Sequence, residues 1–186
     1  MKRREAVQYI SLLLGGTIIG TSYFLEGCKS KTGVSMAFTP DDVSYLDEIA
    51  DTILPPTKTP GAKAAKVGQF MTVMVNDCYD ADDQKIFHEG MGKLDDFANK
   101  TYNDSFMKLN PQQRHDLLVK LDGEQKDYMA KKKKEDPTHY FRMMKELTLL
   151  GYFTSEIGCT QARRYVETPG RFDGCVDYKK GDKAWA

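Results

Sequence analysis

The sequence predicts one all-α domain of about five helices with an irregular C-terminal tail, and three observations carry that expectation. Apolar residues recur every three or four positions in five separate segments. No segment sustains the polar–apolar alternation of a strand. Three of the segments open on a capping residue followed by proline: Thr39-Pro40, Asn110-Pro111 and Asp136-Pro137. A polar side chain there accepts hydrogen bonds from the free N–H groups of the first turn, and proline suits the first helical position.

The first helix is expected from Pro40, with Asp41 and Asp42 favouring its positive end. Val43, Leu46, Ile49, Ala50 and Ile53 form its apolar stripe, and Pro55-Pro56 stops it. Thr57 to Gly61 reads as a connector. A second helix is expected over Ala62 to Cys78, with Val67, Phe70, Met71, Met74, Val75 and Cys78 on one face. Asp80 caps a third, which buries Ile86, Phe87, Met91, Leu94, Phe97 and Ala98. The fourth starts at Asn110-Pro111 and presents Leu117, Leu118 and Leu121 inward. The basic run Lys131 to Lys134 is read as its solvated end, where cations are favoured. The fifth runs from Asp136-Pro137-Thr138 to about Glu156 and carries Tyr140, Phe141, Met144, Leu147, Leu150 and Phe153. Gly158, Pro169, Gly170, Gly174 and Gly181 punctuate the remaining tail, which needs a surface to pack on.

The N-terminus reads as an export signal over residues 1–27. Lys2, Arg3 and Arg4 form a positive start, and a largely apolar, uncharged run extends from Tyr9 to Leu25. Leu25-Glu26-Gly27-Cys28 follows and resembles a lipoprotein signal, in which Cys28 takes a diacylglycerol and becomes the new N-terminus. Glu26 departs from that pattern, where a small or apolar residue is usual. Arg3-Arg4 raises twin-arginine export, although Glu5, Ala6, Val7 and Gln8 lack the Phe-Leu-Lys character of the full motif and Lys2 stands where serine is usual. Ordinary secretion and a retained membrane anchor are the competing readings; glycines weaken the second. Residues 28–37 are small and polar and read as a lipidated tether, and residues 38–186 as the helical domain.

Lysine plus arginine and aspartate plus glutamate each number 27, so no basic field points to nucleic acid. With Cys28 assigned to lipid, Cys78, Cys159 and Cys175 remain. Cys159 and Cys175, both in the loop-rich tail, are the candidate disulfide; Cys78 is expected in the core. His88, His115 and His139 lie apart, without metal-ligand spacing. Asp80, Asp82 and Asp83 lack the glycine and distal glutamate of a calcium loop and are read as a cap with first-turn acids. There is no haem-attachment motif, dinucleotide fingerprint, nucleophile elbow or zinc-protease motif. The sequence thus points away from catalysis and toward binding.

The segment Gly151-Tyr152-Phe153-Thr154-Ser155-Glu156-Ile157-Gly158, then Tyr165, then Pro169-Gly170-Arg171-Phe172-Asp173-Gly174-Cys175, resembles the C-terminal signature of the gluconate 2-dehydrogenase subunit 3 family. Asp51-Thr52-Ile53-Leu54-Pro55 and the helix start Asn110-Pro111-Gln112-Gln113-Arg114 are similar to that family as well. The resemblance covers about Phe38 to Tyr178. It implies a small accessory subunit of a membrane-associated dehydrogenase. Its partner would be a large FAD-dependent flavoprotein of the glucose-methanol-choline type that oxidises a sugar or sugar acid. A cytochrome c subunit carrying haem c often takes the electrons. The small subunit would stabilise and co-export the flavoprotein, which has no signal of its own. This implies a location on the periplasmic side of the envelope, with the lipid on Cys28 as membrane tether.

Aromatic and arginine side chains are the usual anchors of protein interfaces. Tyr152, Phe153, Arg164, Tyr165, Pro169, Arg171 and Phe172 are therefore the candidate partner contacts. Two readings of them stand: they hold the partner, or they lock the tail onto the bundle. Two other functions stay open, a free-standing helical envelope lipoprotein that binds a ligand or another envelope protein, and an oxidoreductase in its own right.

Overall fold

The computed structural model describes residues 37–168 and 170–185. The expected signal, with Arg3, Arg4 and Cys28, lies outside them, as does Pro169. Five α-helices occur among the described residues: α1 Pro40–Ile53, α2 Val67–Cys78, α3 Ala81–Tyr102, α4 Pro111–Lys131 and α5 Tyr140–Thr154. A short 3-10 turn, Phe106–Lys108, joins α3 to α4, and a π-helical turn, Gly158–Ala162, follows α5. The all-α expectation is met, and none of these helices is long and apolar enough to cross a membrane.

The caps of α1, α3 and α4 form where the sequence places them. Thr39 Oγ1 accepts from the Asp42 N–H at 3.2 Å, and Asp42 Oδ2 accepts from the Thr39 N–H at 2.8 Å. Asn110 and Gln113 exchange the same pair of bonds at 2.9 and 3.0 Å, closing a second capping box. Asp80 Oδ1 accepts from the Asp83 N–H at 2.9 Å. Asn103 ends α3 in the left-handed region with φ 56°, a conformation asparagine tolerates.

Helix α2 starts at Val67, not at Ala62. Ala62 to Lys66 instead form a turn folded back on the end of α1: the Ala62 N–H donates to Leu54 O at 3.0 Å and the Lys63 N–H to Asp51 Oδ1 at 3.2 Å. Lys66, with φ 55°, has no helical dihedrals and caps nothing with its side chain. The α2 start is completed from another helix, because Asp47 Oδ1 on α1 accepts the Gly68 N–H at 2.7 Å. A Cβ on Gly68 would lie 2.6 Å from Val43 O, so the two helices meet backbone to backbone. Burial raises the Asp47 carboxyl above its usual range, opposed by the Gly68 N–H and Lys63.

Helix α5 starts at Tyr140, later than Asp136-Pro137-Thr138 suggests. Asp136 is used by the preceding turn: its Oδ2 accepts the Lys133 N–H at 2.7 Å, and its carbonyl accepts Lys132 Nζ at 2.5 Å. The cap passes to His139, whose Nδ1 accepts the Phe141 N–H at 3.2 Å. Lys132 is thus part of a folded turn rather than only a solvated helix end.

The core gathers Leu46, Ile49, Met71, Phe87, Leu94 and Phe141, all buried. Helix α5 touches each of the other four helices. Phe141, Met144, Leu147, Thr148 and Gly151 are buried along it. Two expected core residues face solvent. Leu150 is exposed because α5 turns Thr148 and Gly151 inward instead. Cys78 is exposed at the last turn of α2, where Tyr79 takes over the packing.

Two ion clusters tie the helices. Glu48 on α1 pairs with both Lys63 and Arg114, and the bond from Lys63 does most to hold its carboxyl below the usual range. Arg114 also donates to Phe106 O at 3.1 Å and Met107 O at 2.5 Å, so one guanidinium joins α4, the 3-10 turn and α1. Asp122 on α4 meets Lys145 of α5 at 2.5 Å and Lys126 at 2.6 Å. Burial would raise its carboxyl, but the two ammonium groups outweigh that and hold it at about 2.

Replacing Arg114 by Met leaves Glu48 and two carbonyl groups short of a donor. Chemical denaturation should register a loss of about 2–3 kcal/mol; an unchanged midpoint would contradict the clamp. The Asp122 carboxyl is lower in the folded chain than in the unfolded one. Its contribution, about 1 kcal/mol after solvent screening, is present above about pH 4 and lost as pH falls toward 2. The variant Asp122→Asn should be less stable at neutral pH and should lose that part of the acid dependence.

Candidate partner interface

The residues selected as partner contacts flank the end of α5, and the fold divides them into two groups. The first builds a closed corner. Gly151 lies so close to α2 that a Cβ would be 2.6 Å from a Phe70 ring carbon. Tyr152 is only 5% exposed, and its hydroxyl donates to Pro60 O at 2.8 Å in the α1–α2 connector. Phe153 packs edge-on against Tyr152 with ring centroids 5.2 Å apart. Ser155 Oγ donates to Tyr152 O at 2.6 Å and accepts the Gly158 N–H at 3.0 Å, linking α5 to the π-turn. A Cβ on Gly158 would sit 1.8 Å from Tyr152 O, so no larger residue fits this backbone crossing. Arg163 then folds back, donating to Phe153 O with its guanidinium 5.4 Å from the centre of the Phe153 ring.

The segment 151–158 is therefore a packing device, and Tyr152 and Phe153 make the bundle contacts of the second of the two readings given for them. Tyr152 spends its ring in the core and its hydroxyl on a backbone carbonyl. Phe153 is half-buried between Tyr152 and Arg163.

The second group stands clear of the bundle. Tyr165 and Arg171 are exposed, and Phe172 is 94% exposed. Arg171 Nη2 pairs with Asp173 Oδ2 at 3.0 Å on the surface. Arg164 has a different task. Its N–H donates to Ala184 O and its Nε to Lys183 O, both at 2.8 Å, and its guanidinium lies 4.3 Å from the centre of the Trp185 ring. Trp185, the one tryptophan of the sequence, was not selected by sequence reasoning. Its partner is twenty-one positions away, which no periodicity reveals.

Cys159 and Cys175 are free thiols, not a bridge. The Cys159 Sγ is turned back toward Phe153 O at 3.3 Å, whereas Cys175 is exposed in the tail. The histidines are not brought together: His88 stacks on Phe38 with centroids 4.1 Å apart, His139 caps α5, and His115 is exposed. Among the described residues no group of three or more histidine, cysteine or acidic side chains is placed to hold a metal ion. A cleft of about 440 Å³ beside Tyr45 and Met91 is lined by Asp41, Asp42 and Asp95. Two of the three are engaged, Asp42 with Thr39 and Asp95 with the Phe106 N–H.

Substituting Gly158 by Ala should cost about 3 kcal/mol, seen as a melting temperature lower by roughly 6–12 °C. An unchanged melt would show that the corner can open without cost.

No curated protein and no solved structure matches the chain. The model of one protein family does, described as gluconate 2-dehydrogenase subunit 3, and the match spans residues 40–170. That span runs from the first residue of α1 through the α5 corner and into the exposed tail. Because it covers most of the sequence, the chain belongs to the gluconate 2-dehydrogenase subunit 3 family.

Proposed function

We propose that this chain is the non-catalytic small subunit of a membrane-associated dehydrogenase. The family match over residues 40–170 is the observation that carries this reading, since the family is described as one subunit of a larger enzyme. The exposed half of the tail supports it: Tyr165, Arg171 and Phe172 are interface-type side chains with no place in the bundle.

In this reading the large subunit is a glucose-methanol-choline type flavoprotein that oxidises an alcohol group of a sugar or sugar acid. FAD belongs to that subunit, and a cytochrome c with haem c accepts the electrons. The small subunit stabilises the flavoprotein and carries it across the membrane. Arg3-Arg4 serves the export of an already folded complex, because the flavin has to be inserted before transport. Cleavage before Cys28 and acylation of its thiol then hold the complex at the periplasmic side of the envelope.

Affinity isolation of the full chain from its native membranes tests this. A large subunit with flavin absorbance should be recovered with it in stoichiometric amount. Recovery of the chain alone, under detergent conditions that keep the membrane dehydrogenases active, would sink the proposal.

A further inference from the structure

Four helices carry a side-chain cap of their own, and one of these caps differs in kind from the other three. Thr39, Asp80 and Asn110 hold the starts of α1, α3 and α4 with a hydroxyl, a carboxylate and an amide, the groups usually found there. The start of α5 is held by an imidazole, with His139 Nδ1 accepting the Phe141 N–H at 3.2 Å. A ring nitrogen accepts a hydrogen bond only while it carries no proton, so this bond fixes His139 as neutral, with its proton on Nε2. Of the four caps, it is the one whose side chain ordinarily changes charge between about pH 5 and 8.

The ring is half-buried. It stacks on Tyr140 of α5 with centroids 4.6 Å apart and lies 5.5 Å from the Tyr128 ring of α4. Tyr128 fastens the same turn a second time, its hydroxyl donating to Pro137 O at 2.9 Å. Charged groups on both neighbouring helices act on the imidazole. Burial does most to disfavour the cation, Glu124 of α4 favours it and Lys93 of α3 opposes it, which leaves the imidazole below its ordinary range. Within the turn, Asp136 could cap in its place, but its carboxylate already accepts the Lys133 N–H at 2.7 Å, and Lys132 Nζ is held by the Asp136 carbonyl at 2.5 Å.

We propose that His139 is a proton-released latch: while neutral it holds the start of α5 and the turn before it, and its protonation in a mildly acidic medium frees the first turn of α5 and residues 132–138. A proton on Nδ1 would point an N–H at the Phe141 N–H and place a positive charge at the positive end of α5. Both effects drive the ring from its seat against Tyr128 and Tyr140. The folded chain prefers the neutral imidazole, so the latch is closed above the ordinary histidine value of about 6.5 and is lost as pH falls below it. The opening stays local, because Phe141, Met144 and Leu147 keep the body of the helix in the core. A hydroxyl or an amide at this position would hold the turn at either pH. The histidine makes its order depend on the acidity of the medium.

The test compares the full chain with His139→Asn, whose amide caps a helix without titrating. Both are solubilised in detergent and followed by heteronuclear NMR of the imidazole nitrogens and by amide hydrogen exchange. The His139 signals, identified by their absence from the variant, should show a bare Nδ1 at neutral pH and a titration midpoint below about 6.5. In the wild type, protection of the Phe141 amide and of residues 132–138 should fall about fivefold or more between about pH 7.5 and pH 5. In His139→Asn it should stay at the neutral-pH level throughout, and in His139→Ala it should be low at both. A proton on Nδ1 at neutral pH, or the same acid-induced loss of protection in His139→Asn as in the wild type, would overturn the latch.

Discussion

Helix α5 buries all but one face, along which Arg142, Glu146, Leu149 and Leu150 are exposed, and the rest of the domain is arranged around that constraint. It meets all four other helices, and at two crossings the approach is too close for a side chain: Gly90 of α3 faces Tyr140, and Gly151 of α5 faces Phe70. Tyr152 extends the same contact to the α1–α2 connector through its bond to Pro60 O. An apolar helix buried on most sides gains from every neighbour, and it also dictates where each neighbour can lie. The chain therefore leaves α5 abruptly. The Ser155 and Gly158 turn redirects the backbone away from the core within a few residues.

The polar contacts reinforce this plan at positions where apolar packing is thin. The start of α2 has no cap in its own sequence, and Asp47 of α1 supplies one. The 3-10 turn has a single buried side chain of its own, Phe106, and is held from outside by Asp95 and Arg114. Lys145 and Asp122 bind α5 to α4 beside Phe141. Each joins elements distant in sequence, so each restricts how the helices can slide rather than whether they form.

The stretch of chain from Gly151 into the tail takes on a physical meaning in this setting. Its first part, residues 151–158, is a backbone crossing that leaves no room for change at Gly158. Its second part, beyond Arg164, leaves the bundle and displays Arg171 and Phe172. Packing and presentation are thus consecutive uses of one stretch of chain. The rigid corner determines where the exposed loop begins, and the Arg164 and Trp185 pairing determines where it returns.

Helix content and capping were legible in the sequence because both depend on near neighbours. Thr39-Pro40, Asp80 and Asn110-Pro111 needed no tertiary partner to define their helix starts. The tail stretch was legible as a resemblance to the family, but its division into buried and exposed halves was not. Tyr152 and Phe172 are both aromatic residues near glycines, and what separates them is whether Pro60 and the core lie within reach. The late starts of α2 and α5 escaped for separate reasons: Ala62 and Lys63 are bonded back onto the end of α1, and Asp136 is committed to a local turn with Lys132 and Lys133. The exposure of Cys78 and Leu150 likewise depends on the rotation of each helix within the bundle, which a stripe of apolar residues specifies only to within part of a turn. By itself the sequence determined the helices, the caps of α1, α3 and α4, and the family. Tertiary structure decided which of the signature residues face inward, because burial is settled by contacts between residues far apart in the chain, and local spacing carries no record of them.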